Sequence, residues 1–330
     1  MARAVTGIQP SGQIHVGNWL GMIRPAVALQ DRFDVYYFVA DWHALTSQPD
    51  PQVLRQTTRE IVAIFLAFGL DPSRASLFCQ SDVPEVHELA WVLGTVVPTG
   101  FMDRGHAVKA AREGGRDPNA ATWWYPLLMA ADILLYGGAV VPVGQDQKQH
   151  VEMARDMAIK MNVRFGDDTL VVPDVSIQQS VGVVVGTDGR KMSKSYGNTV
   201  PVLDSPNRIR KAIMGIKTDS RGVDEAKDPS TCTVFSLFSH IAQVDEVEAL
   251  RGQYLAGGFG YGHAKESLVT VMEREVSGPR ERYSALLATP GALDDVLAAG
   301  AARARVAAVS TMERVRERVG LFPRRRGSGS

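Results

Sequence analysis

The first half of the chain alternates short apolar runs with longer amphipathic stretches. Buried strands are predicted where β-branched, aromatic and small apolar residues follow one another, at residues 4–5, 35–40, 76–79 and 139–143. Helical spacing of apolar positions predicts helices over residues 18–30, 53–68 and 84–97, and Gly69 stands where a helix C-cap glycine belongs. Alternating strands and helices predict an α/β fold, a Rossmann-like doubly wound parallel sheet with helices on both faces.

Polar and small residues follow the predicted strands. Gly7, Asp41, Ser81 and Gly144 each come just after a strand. In open parallel sheets ligands bind outside the carboxyl ends of the strands. We therefore expect the functional site at this edge.

The second half has a different pattern of hydrophobic and polar positions, because strand-like runs disappear after Ser195. Glycine and proline turns separate predicted helices at residues 205–215, 233–243, 244–256, 263–288 and 290–318, and Pro279 is expected to kink or split the fourth. These patterns predict a catalytic domain over 1–195, an all-helical domain over 196–324 and a flexible tail over 325–330.

Composition narrows the class of protein. Of the 330 residues, 45% are apolar and 22% are charged, as in ordinary soluble proteins, and the net charge of +0 argues against a bulk nucleic-acid coat protein. Cys79 and Cys232 are far apart, so a disulfide framework or zinc site is not expected. No apolar run has the length of a membrane span, and the N-terminus lacks a signal-peptide pattern. A cytoplasmic protein is predicted.

The turn after the first strand carries the pattern PSGxxHxGN. Its small residues allow a phosphate to approach the backbone, and the helix that follows supplies oriented N–H donors. His15 and Asn18 lie three residues apart and face the same side of the first helical turn. An imidazole there can bond a phosphoryl oxygen, and Gly17 leaves room for an adenine ring. Taken alone, the segment also fits a simple helix-capping turn.

Residues 191–195 spell KMSKS. Lys191 and Lys194 bring two ammonium groups to one loop, which suits the charge that develops on a leaving pyrophosphate. Gly186, Asp188 and Gly189 give the preceding segment the flexibility of a closing loop. An isolated Lys-x-x-Lys is often an exposed basic loop, but its pairing with the upstream turn favours one ATP site.

Together these motifs resemble class I aminoacyl-tRNA synthetases, and within them the bacterial-type tryptophanyl enzymes. Residues 41–46, 125–136 and 141–150 are similar to three further segments of that family, namely its DxHALT stretch, its amino-acid-binding helix and its VPVGxDQxQH stretch. The resemblance covers most of residues 5–200 and continues more weakly to Leu321. The motifs are highly specific.

The resemblance implies a tryptophan site. Asp132 would accept the indole N–H, which is a fitting partner because indole is only a donor. A helix carboxylate with a purely structural role is the alternative reading of Asp132. The other residues implied are those of the apolar slot and those near the amino and carboxylate groups: Val5, Gly7, Gln9, His43, Tyr125, Met129, Val141, Val143 and Gln147.

The resemblance also implies a nucleotide site, in which Gly144 and Asp146 meet the ribose. Mg²⁺ would accompany ATP and be held largely by phosphate oxygens, with no dedicated metal ligands from the protein. The implied catalytic residues are His15, Asn18, Lys191 and Lys194. The implied ATP-binding residues are Gln9, Pro10, Ser11, Gly17, Asn18, Gly144, Gln145, Asp146, Val183, Lys191, Met192, Ser193, Lys194 and Ser195.

Two positions depart from the family pattern. Position 5 is Val where many members carry Phe near the indole, so the slot either repacks or widens. Lys109 is present, but Ala111 stands where many relatives have a second lysine that reaches the phosphates. Either Arg112 replaces that lysine or the role is shared among other residues.

The activity implied is formation of tryptophanyl-adenylate from ATP and L-tryptophan, followed by transfer to tRNA(Trp), by a homodimer. The helical region would read the anticodon. Candidate phosphate contacts there, most of them equally compatible with a solvated helix face, are Arg208, Arg210, Lys211, Arg303, Arg305, Arg314, Arg316 and Arg318. Three alternatives stay open: a paralogue that serves a non-tRNA acceptor, a non-catalytic tryptophan- or RNA-binding regulator, and a nucleotidyltransferase with a similar turn.

Overall fold

The computed structural model describes residues 1–10, 12–47, 49–103, 115, 119–138, 140–143, 148–177 and 183–322. Several predicted positions lie outside the described residues. They are Ser11, Lys109, Ala111, Arg112, the run 144–147 (Gly144, Gln145, Asp146 and Gln147), the side chain of Val143, and the tail 325–330.

The centre of the fold is a parallel sheet, which confirms the predicted α/β class. Its five strands lie in the order β3-β2-β1-β4-β5, and every neighbouring pair is parallel. The strands are β1 Arg3–Ile8, β2 Asp34–Val39, β3 Ser76–Cys79, β4 Val140–Val143 and β5 Asp174–Ile177. The fifth was not predicted, because it is short and begins with an aspartate directly after Pro173. Strand order reverses between β1 and β4, so a crevice opens at their carboxyl ends.

Helices connect the strands and make up most of the remaining chain. Those in the first half are α1 Val16–Asn18, α2 Arg24–Ala28, α3 Asp41–Ala44, α4 Pro51–Ala67, α5 Glu85–Gly94, α6 Thr99–Met102, α7 Ala120–Leu135 and α8 Lys148–Phe165. Those after residue 195 are α9 Pro206–Met214, α10 Thr233–Ile241, α11 Val244–Ala256, α12 Tyr261–Ala288 and α13 Pro290–Arg318.

The helix predicted over residues 18–30 is helical but not one regular α-helix. A π-helical turn, Trp19–Ile23, separates α1 from α2, and a 3₁₀ turn, Leu29–Asp31, ends the segment. The Arg24 N–H bonds the carbonyl of Trp19, five residues back. Pro25 follows and has no N–H to donate, so the regular hydrogen-bond ladder is interrupted here.

Helix α4 begins two residues earlier than its apolar pattern suggested. The Asp50 side chain accepts bonds from the backbone N–H of Gln52 at 2.8 Å and of Val53 at 3.2 Å, and Pro51 occupies the first helical position. After the helix, Gly69 has a φ of 101°, which favours glycine. The cap residues, rather than the apolar stripe, set both ends.

The two faces of the sheet carry two separate cores. Alternate residues of one strand point to opposite faces, so Tyr37 of β2 joins one cluster while Tyr36 and Phe38 join the other. Helices α4 and α9 to α12 contribute to the first cluster, whereas α5, α7 and α8 contribute to the second. The helices after residue 195 therefore share a core with the sheet. The predicted domain limits stay a prediction.

The last helix, α13, passes from one face to the other around edge strand β3. Leu293 and Leu297 join the first cluster, whereas residues from Ala301 onward join the second. Between them Gly300 lies directly against β3, since a Cβ atom there would stand 1.8 Å from the carbonyl oxygen of Leu77. The helix thereby covers a sheet edge that would otherwise expose unpaired backbone groups.

Pro279 does not split the helix that contains it, so that part of the prediction is wrong. Helix α12 runs through it from Tyr261 to Ala288, and the chain bends instead before α13, where the two axes meet at 93°. Residues on both sides of the proline pack on the same core. They are the buried Met272 and Val276 before it and the partly buried Tyr283 after it. Among the described helices, none alone is long and apolar enough to cross a membrane.

Candidate active site

A cavity of about 300 Å³ opens at the carboxyl end of β1, between α3 and α7. This volume is at the small end of the range for ligand pockets, ~300–1,000 Å³. Among the described lining residues, apolar walls surround a single carboxylate. The predicted tryptophan-site residues found in its lining are Val5, Gly7, Gln9, His43, Tyr125, Met129, Asp132 and Val141, and the further lining residues are Thr6, Phe38, Ala40 and Ile133.

Asp132 is the polar centre of this cavity and is fully buried. Its Oδ2 lies 2.9 Å from Nε2 of His43. The Gln80 side-chain amide donates to both carboxylate oxygens, at 2.9 Å and 2.8 Å. A carboxylate has about four acceptor positions, so these contacts leave capacity for one more donor from the cavity.

Burial dominates the ionisation of this carboxyl group. Removal from water raises the pKa of Asp132, and the contacts with His43 and Gln80 oppose that rise. Burial also raises the pKa of Tyr125, with a further contribution from Asp132. The Tyr125 ring packs on the ring of His43 with centroids 4.3 Å apart. Tyr125 is thus a neutral phenol.

Gln80 was missed by sequence reasoning, although it is fully buried and contacts Asp132 directly. Its Oε1 accepts a bond from the backbone N–H of His43 at 3.4 Å, which fixes the amide so that its NH₂ faces the carboxylate. Its position immediately after β3 could have identified it, because the residues that follow the strands were already predicted to lie at the ligand-binding edge of the sheet. A neighbouring bond from the Ser81 backbone N–H to Asp41, at 3.1 Å, joins the ends of β2 and β3.

The Val5 departure from the family pattern has a structural counterpart in Phe38. In the register of β1 and β2, Gly7 stands beside Phe38. A Cβ atom on Gly7 would stand 2.3 Å from the Phe38 ring, so the ring occupies space that any other residue at position 7 would fill. Val5 in turn packs on Gly138, where a Cβ would stand 2.6 Å from the valine. An aromatic wall is therefore present, but on the neighbouring strand.

The turn that follows β1 places His15 at the start of α1. The backbone N–H of Asn18 donates to Nδ1 of His15 at 3.3 Å, and Oδ1 of Asn18 accepts from the His15 backbone N–H at 3.2 Å. This reciprocal pair is a capping box. The capping interpretation of the turn is therefore correct, and it also fixes the imidazole orientation.

The ionisation of His15 follows from this environment. Burial, followed by the charge of Lys194, lowers its pKa from 6.5 to about 4. The ring is neutral at neutral pH, and because Nδ1 accepts a bond the proton resides on Nε2. His15 thus offers a neutral N–H donor beside the glycine turn.

The KMSKS segment, residues 191–195, docks against the HxGN turn, residues 15–18. The Gly17 backbone N–H donates to Sδ of Met192 at 3.3 Å, and the Val16 N–H donates to the carbonyl of Val200 at 2.9 Å. Met192 is almost fully buried. A Cβ on Gly17 would stand 3.0 Å from the His15 ring, so a side chain there would crowd both partners.

Both lysines of the segment are exposed, and Lys194 reaches over the glycine turn. Lys194 is partly desolvated, which lowers its pKa, and its Nζ would lie 3.9 Å from a Cβ atom on Gly12. Lys191 is exposed, as is Ser195, whose Oγ lies 2.8 Å from that of Ser193. Val183 is also exposed, at the start of the hairpin that leads into the segment. The loop therefore places Lys194 above the glycine turn.

The described residues contain no group of three or more His, Cys, Asp or Glu side chains suited to hold a metal ion. The positive and neutral donors near the glycine turn, Lys194 and His15, suit an anion. Gln9 and Pro10 lie between this turn and the cavity, and Gln9 lines the cavity. The glycine turn and the carboxylate cavity are therefore adjacent.

Most of the arginines considered as phosphate contacts have partners within the protein. Arg303 donates to the carbonyls of Pro72 and Ala75, Arg305 pairs with the buried Glu85, and Arg316 pairs with Glu88. These contacts fasten α13 to the sheet and to α5. The others with partners are Arg208 with Asp204, Arg210 with Glu266 and Arg314 with the carbonyl of Thr169.

Comparison with known proteins places these features in context. A family model described as tRNA synthetases class I (W and Y) matches residues 1–276. The chain is similar to the tryptophan–tRNA ligase of Pseudomonas aeruginosa, with 45% identity over 97% of this chain and 74% of that protein. It is 42% identical to the tryptophan–tRNA ligase of Fusobacterium nucleatum over 97% of this chain and 98% of that one.

A solved structure is also similar over the whole fold. The tryptophanyl-tRNA synthetase of Campylobacter jejuni, crystallised with ADP and tryptophan, superposes with a TM-score of 0.90 at 40% identity. The match covers 97% of this chain and 100% of that one.

Proposed function

The chain belongs to the family of class I tRNA synthetases for tryptophan and tyrosine, and we propose that within it this aminoacyl-tRNA ligase is specific for tryptophan. The similarity to tryptophan–tRNA ligases supports tryptophan over tyrosine, and the structural observation that carries the proposal is Asp132, a fully buried carboxylate inside an apolar cavity. A buried acceptor selects an aromatic side chain that has a donor. Phenylalanine would leave the carboxylate desolvated and one hydrogen bond short, and a site of this kind rejects such an analogue by a factor of about 10⁴–10⁵.

The first chemical step joins the two parts of the site. The ionised carboxylate of bound tryptophan attacks the α-phosphorus of ATP in line. The bond from that phosphorus to its bridging oxygen breaks, and pyrophosphate leaves with the electron pair. Tryptophanyl-adenylate is the product. The substrate supplies the nucleophile, so the protein's contribution is positioning and charge stabilisation.

Three side chains supply that stabilisation. The Nε2–H of neutral His15 donates to a phosphoryl oxygen, and Lys194, above the glycine turn, offsets the charge that develops on the leaving group. Lys191 does the same from the exposed end of the loop. Asn18 serves the site indirectly, because its side chain bonds the His15 backbone and holds the imidazole in place.

Mg²⁺ accompanies ATP in this proposal. The donor set near the turn is neutral or cationic, and the described residues lack a cluster of metal ligands, so the phosphate oxygens would hold the ion. It would neutralise phosphate charge. The protein's own part is to hold the phosphates with Lys191, Lys194 and His15.

The second step is transfer to tRNA(Trp). The terminal ribose attacks the adenylate carbonyl through its 2′-hydroxyl, and AMP leaves. We propose that the helices after residue 195 bind the tRNA and that the catalytic domain ends at the KMSKS segment. Lys211, which is exposed on α9, is a candidate phosphate contact. The arginines that fasten α13 to the sheet and to α5 are less suited, because contacts within the protein already hold their guanidinium groups.

We also propose a homodimer in the cytoplasm. An aromatic cluster on α5 and α7 supports self-association: Trp91 is 69% exposed and its ring lies 6.2 Å from that of Trp124. Buried free thiols at Cys79 and Cys232 suit a reducing compartment. Light scattering of the wild type and of Trp91→Lys tests the dimer; a monomeric wild type contradicts it.

The test of function is pyrophosphate exchange into ATP with each of the twenty amino acids, followed by charging of tryptophan-specific tRNA. The expected result is exchange with tryptophan alone together with charging. Exchange without charging would indicate a paralogue that serves another acceptor. Absence of both would indicate a binding protein that retains the motifs, and either outcome contradicts the proposal.

A further inference from the structure

Asn198, three residues beyond the KMSKS segment, lies at the centre of the loop that carries it. Its side chain is almost completely buried, at 2% exposure, although its neighbours Tyr196 and Gly197 are exposed. A buried amide must find partners for its donors and its acceptor. All of the partners of this amide in the described part of the chain belong to the loop itself.

The acceptor end of the amide holds the KMSKS backbone. Oδ1 of Asn198 accepts a bond from the backbone N–H of Ser193 at 2.8 Å. The donor end holds the opposite side, since Nδ2 donates to the carbonyl of Lys191 at 3.1 Å and to Oδ1 of Asp188 at 2.7 Å. One side chain thus spans both peptide positions that flank Met192.

The surrounding backbone fixes Asn198 in turn. Its carbonyl accepts a bond from the N–H of Thr187 at 2.9 Å, and Asp188 is held by Arg190 at 2.7 Å. Gly186 lies beneath it, where a Cβ would stand 2.4 Å from the amide. The Asn198 amide, more than Arg190, holds the pKa of Asp188 at about 2, so this carboxylate is always an acceptor.

We propose that Asn198 is a positioning residue that sets the shape of the KMSKS segment and thereby the direction of Lys191 and Lys194. What the two lysines act upon rests on the proposed function above. Asn198 is buried, and its amide is engaged with Ser193, Lys191 and Asp188, so we assign it no direct contact with a substrate. Its effect on rate comes through the lysines, because a displacement of about 1 Å in a group that stabilises a transition state can lower the rate about 100-fold.

Asn198→Asp is the most informative variant, because it keeps the size of the side chain and the acceptor for Ser193. It replaces the N–H donor by a carboxylate oxygen that faces Asp188 and the Lys191 carbonyl. Oxygen atoms that were joined by hydrogen bonds to the amide now repel the new carboxylate. The exchange rate at saturating substrates should fall about 100-fold, whereas the KM for tryptophan should stay unchanged.

A matched control exists in Asn162, whose amide makes an equivalent loop clamp before β5, at the amino edge of the sheet. It donates to the Leu170 carbonyl at 2.9 Å and accepts from the Leu170 N–H at 2.8 Å. Asn162→Asp should lower the melting temperature without changing the exchange rate. An equal loss of rate in both variants would overturn the proposal.

A second substitution that rescues the rate of Asn198→Asp provides a more specific test. In the double variant Asn198→Asp with Asp188→Asn, the amide and the carboxylate exchange places, which restores the hydrogen bond between them but not the one to the Lys191 carbonyl, so the expected recovery is partial. We expect the double variant to recover at least tenfold in rate over Asn198→Asp alone. Lack of any recovery would overturn the proposal, because loop shape would then not depend on this pair.

A readout that is independent of activity separates failure of this inference from failure of the proposed function. Trypsin cleaves after Arg190, Lys191 and Lys194. In the protein without substrates, Asn198→Asp should be cut there several times faster than wild type, and Asn162→Asp should not. Equal cleavage of all three proteins would overturn the inference whether or not the wild type activates an amino acid.

Discussion

The backbone N–H of Gly17 donates to Sδ of Met192 at 3.3 Å, across 175 residues of sequence. This contact joins the HxGN turn to the KMSKS segment, and it places the neutral His15 beside the partly desolvated Lys194. Each motif alone is weak evidence, because a capping turn and a basic loop are both common. Their direct contact brings His15, Lys194 and the glycine turn together, as a single anion-binding site would require.

Asp132→Asn should remove tryptophan affinity while leaving ATP binding intact. The amide keeps the volume of the carboxyl group but replaces one acceptor by a donor that faces the indole N–H. The KM for tryptophan should rise about 100-fold or more, with the KM for ATP within about twofold. Exchange kinetics with each substrate varied separately provide the measurement. An unchanged tryptophan KM would remove Asp132 from the pocket.

Gln80→Met should make tryptophan binding more sensitive to acid. Burial already raises the pKa of Asp132, and the Gln80 amide opposes that rise. Without the donor the pKa rises further, so as pH falls the carboxylate is protonated at a higher pH than in wild type. The tryptophan KM, measured against pH, should begin to increase earlier in the variant.

Gln30→Met is the control for this comparison, because Gln30 is another buried amide that bonds the Gly69 carbonyl and the Asp71 N–H, each at 2.9 Å, away from the cavity. Its pH profile should match wild type. Parallel profiles in all three proteins would show that Gln80 does not affect the ionisation of Asp132.

His15→Asn separates the capping role from the catalytic role. Asparagine is a good N-cap, so α1 should form normally, but its shorter amide does not reach as far as Nε2 of the imidazole. The exchange rate should fall about 100-fold, and the melting temperature at pH 8 should change little. Full activity in this variant would reduce His15 to a helix cap.

The pKa of His15 gives a pH signature for the same residue. Its folded pKa of about 4 lies below the ordinary 6.5, so its contribution to stability is complete above 6.5 and is lost as pH falls toward about 4. Wild type should therefore lose melting temperature over this interval more steeply than His15→Asn. Equal slopes would contradict the lowered pKa.

Phe38→Val should widen the cavity and relax its selectivity. The Phe38 ring covers Gly7, so its truncation opens space beside the carboxylate. The KM for tryptophan should rise about 10- to 100-fold, and the kcat/KM of ring-substituted tryptophans should increase relative to that of tryptophan. Adding Val5→Phe should recover part of the loss, since the aromatic wall returns on β1. Strictly additive effects would show that the two positions do not share one space.

Gly300→Ala should destabilise the protein by about 3 kcal/mol or more, because the new Cβ would stand 1.8 Å from the Leu77 carbonyl and α13 would be forced off β3. Gly291→Ala in the same helix is the control, as nothing lies within 4 Å of its added Cβ. That change should be neutral or stabilising by at most about 1 kcal/mol. The free energy of unfolding of both variants, measured by denaturant titration, provides the test. Equal values for the two variants would contradict the close contact of Gly300 with β3.

The sequence by itself determined the class of fold and the chemistry of the two motifs. Apolar runs of strand length, separated by amphipathic helices, can bury their surface only in a parallel sheet covered on both sides. The short β5 was not predicted in this way. The ends of α4 were predicted inaccurately, because single residues such as Asp50 determine helix ends through local hydrogen bonds. Phe38 was read only as part of a buried strand, since its relation to Gly7 depends on register.

The tertiary structure decided which distant residues meet. Gln80 and Asp132 are 52 positions apart, and their contact arises because the ends of β3 and the buried face of α7 converge at one edge of the sheet. The same holds for the arginines of α13, which a helix pattern cannot distinguish from solvated charges until their backbone partners are placed. Local patterns reflect the physics of neighbours in the chain, whereas burial, pKa and hydrogen-bond partners are set by neighbours in space.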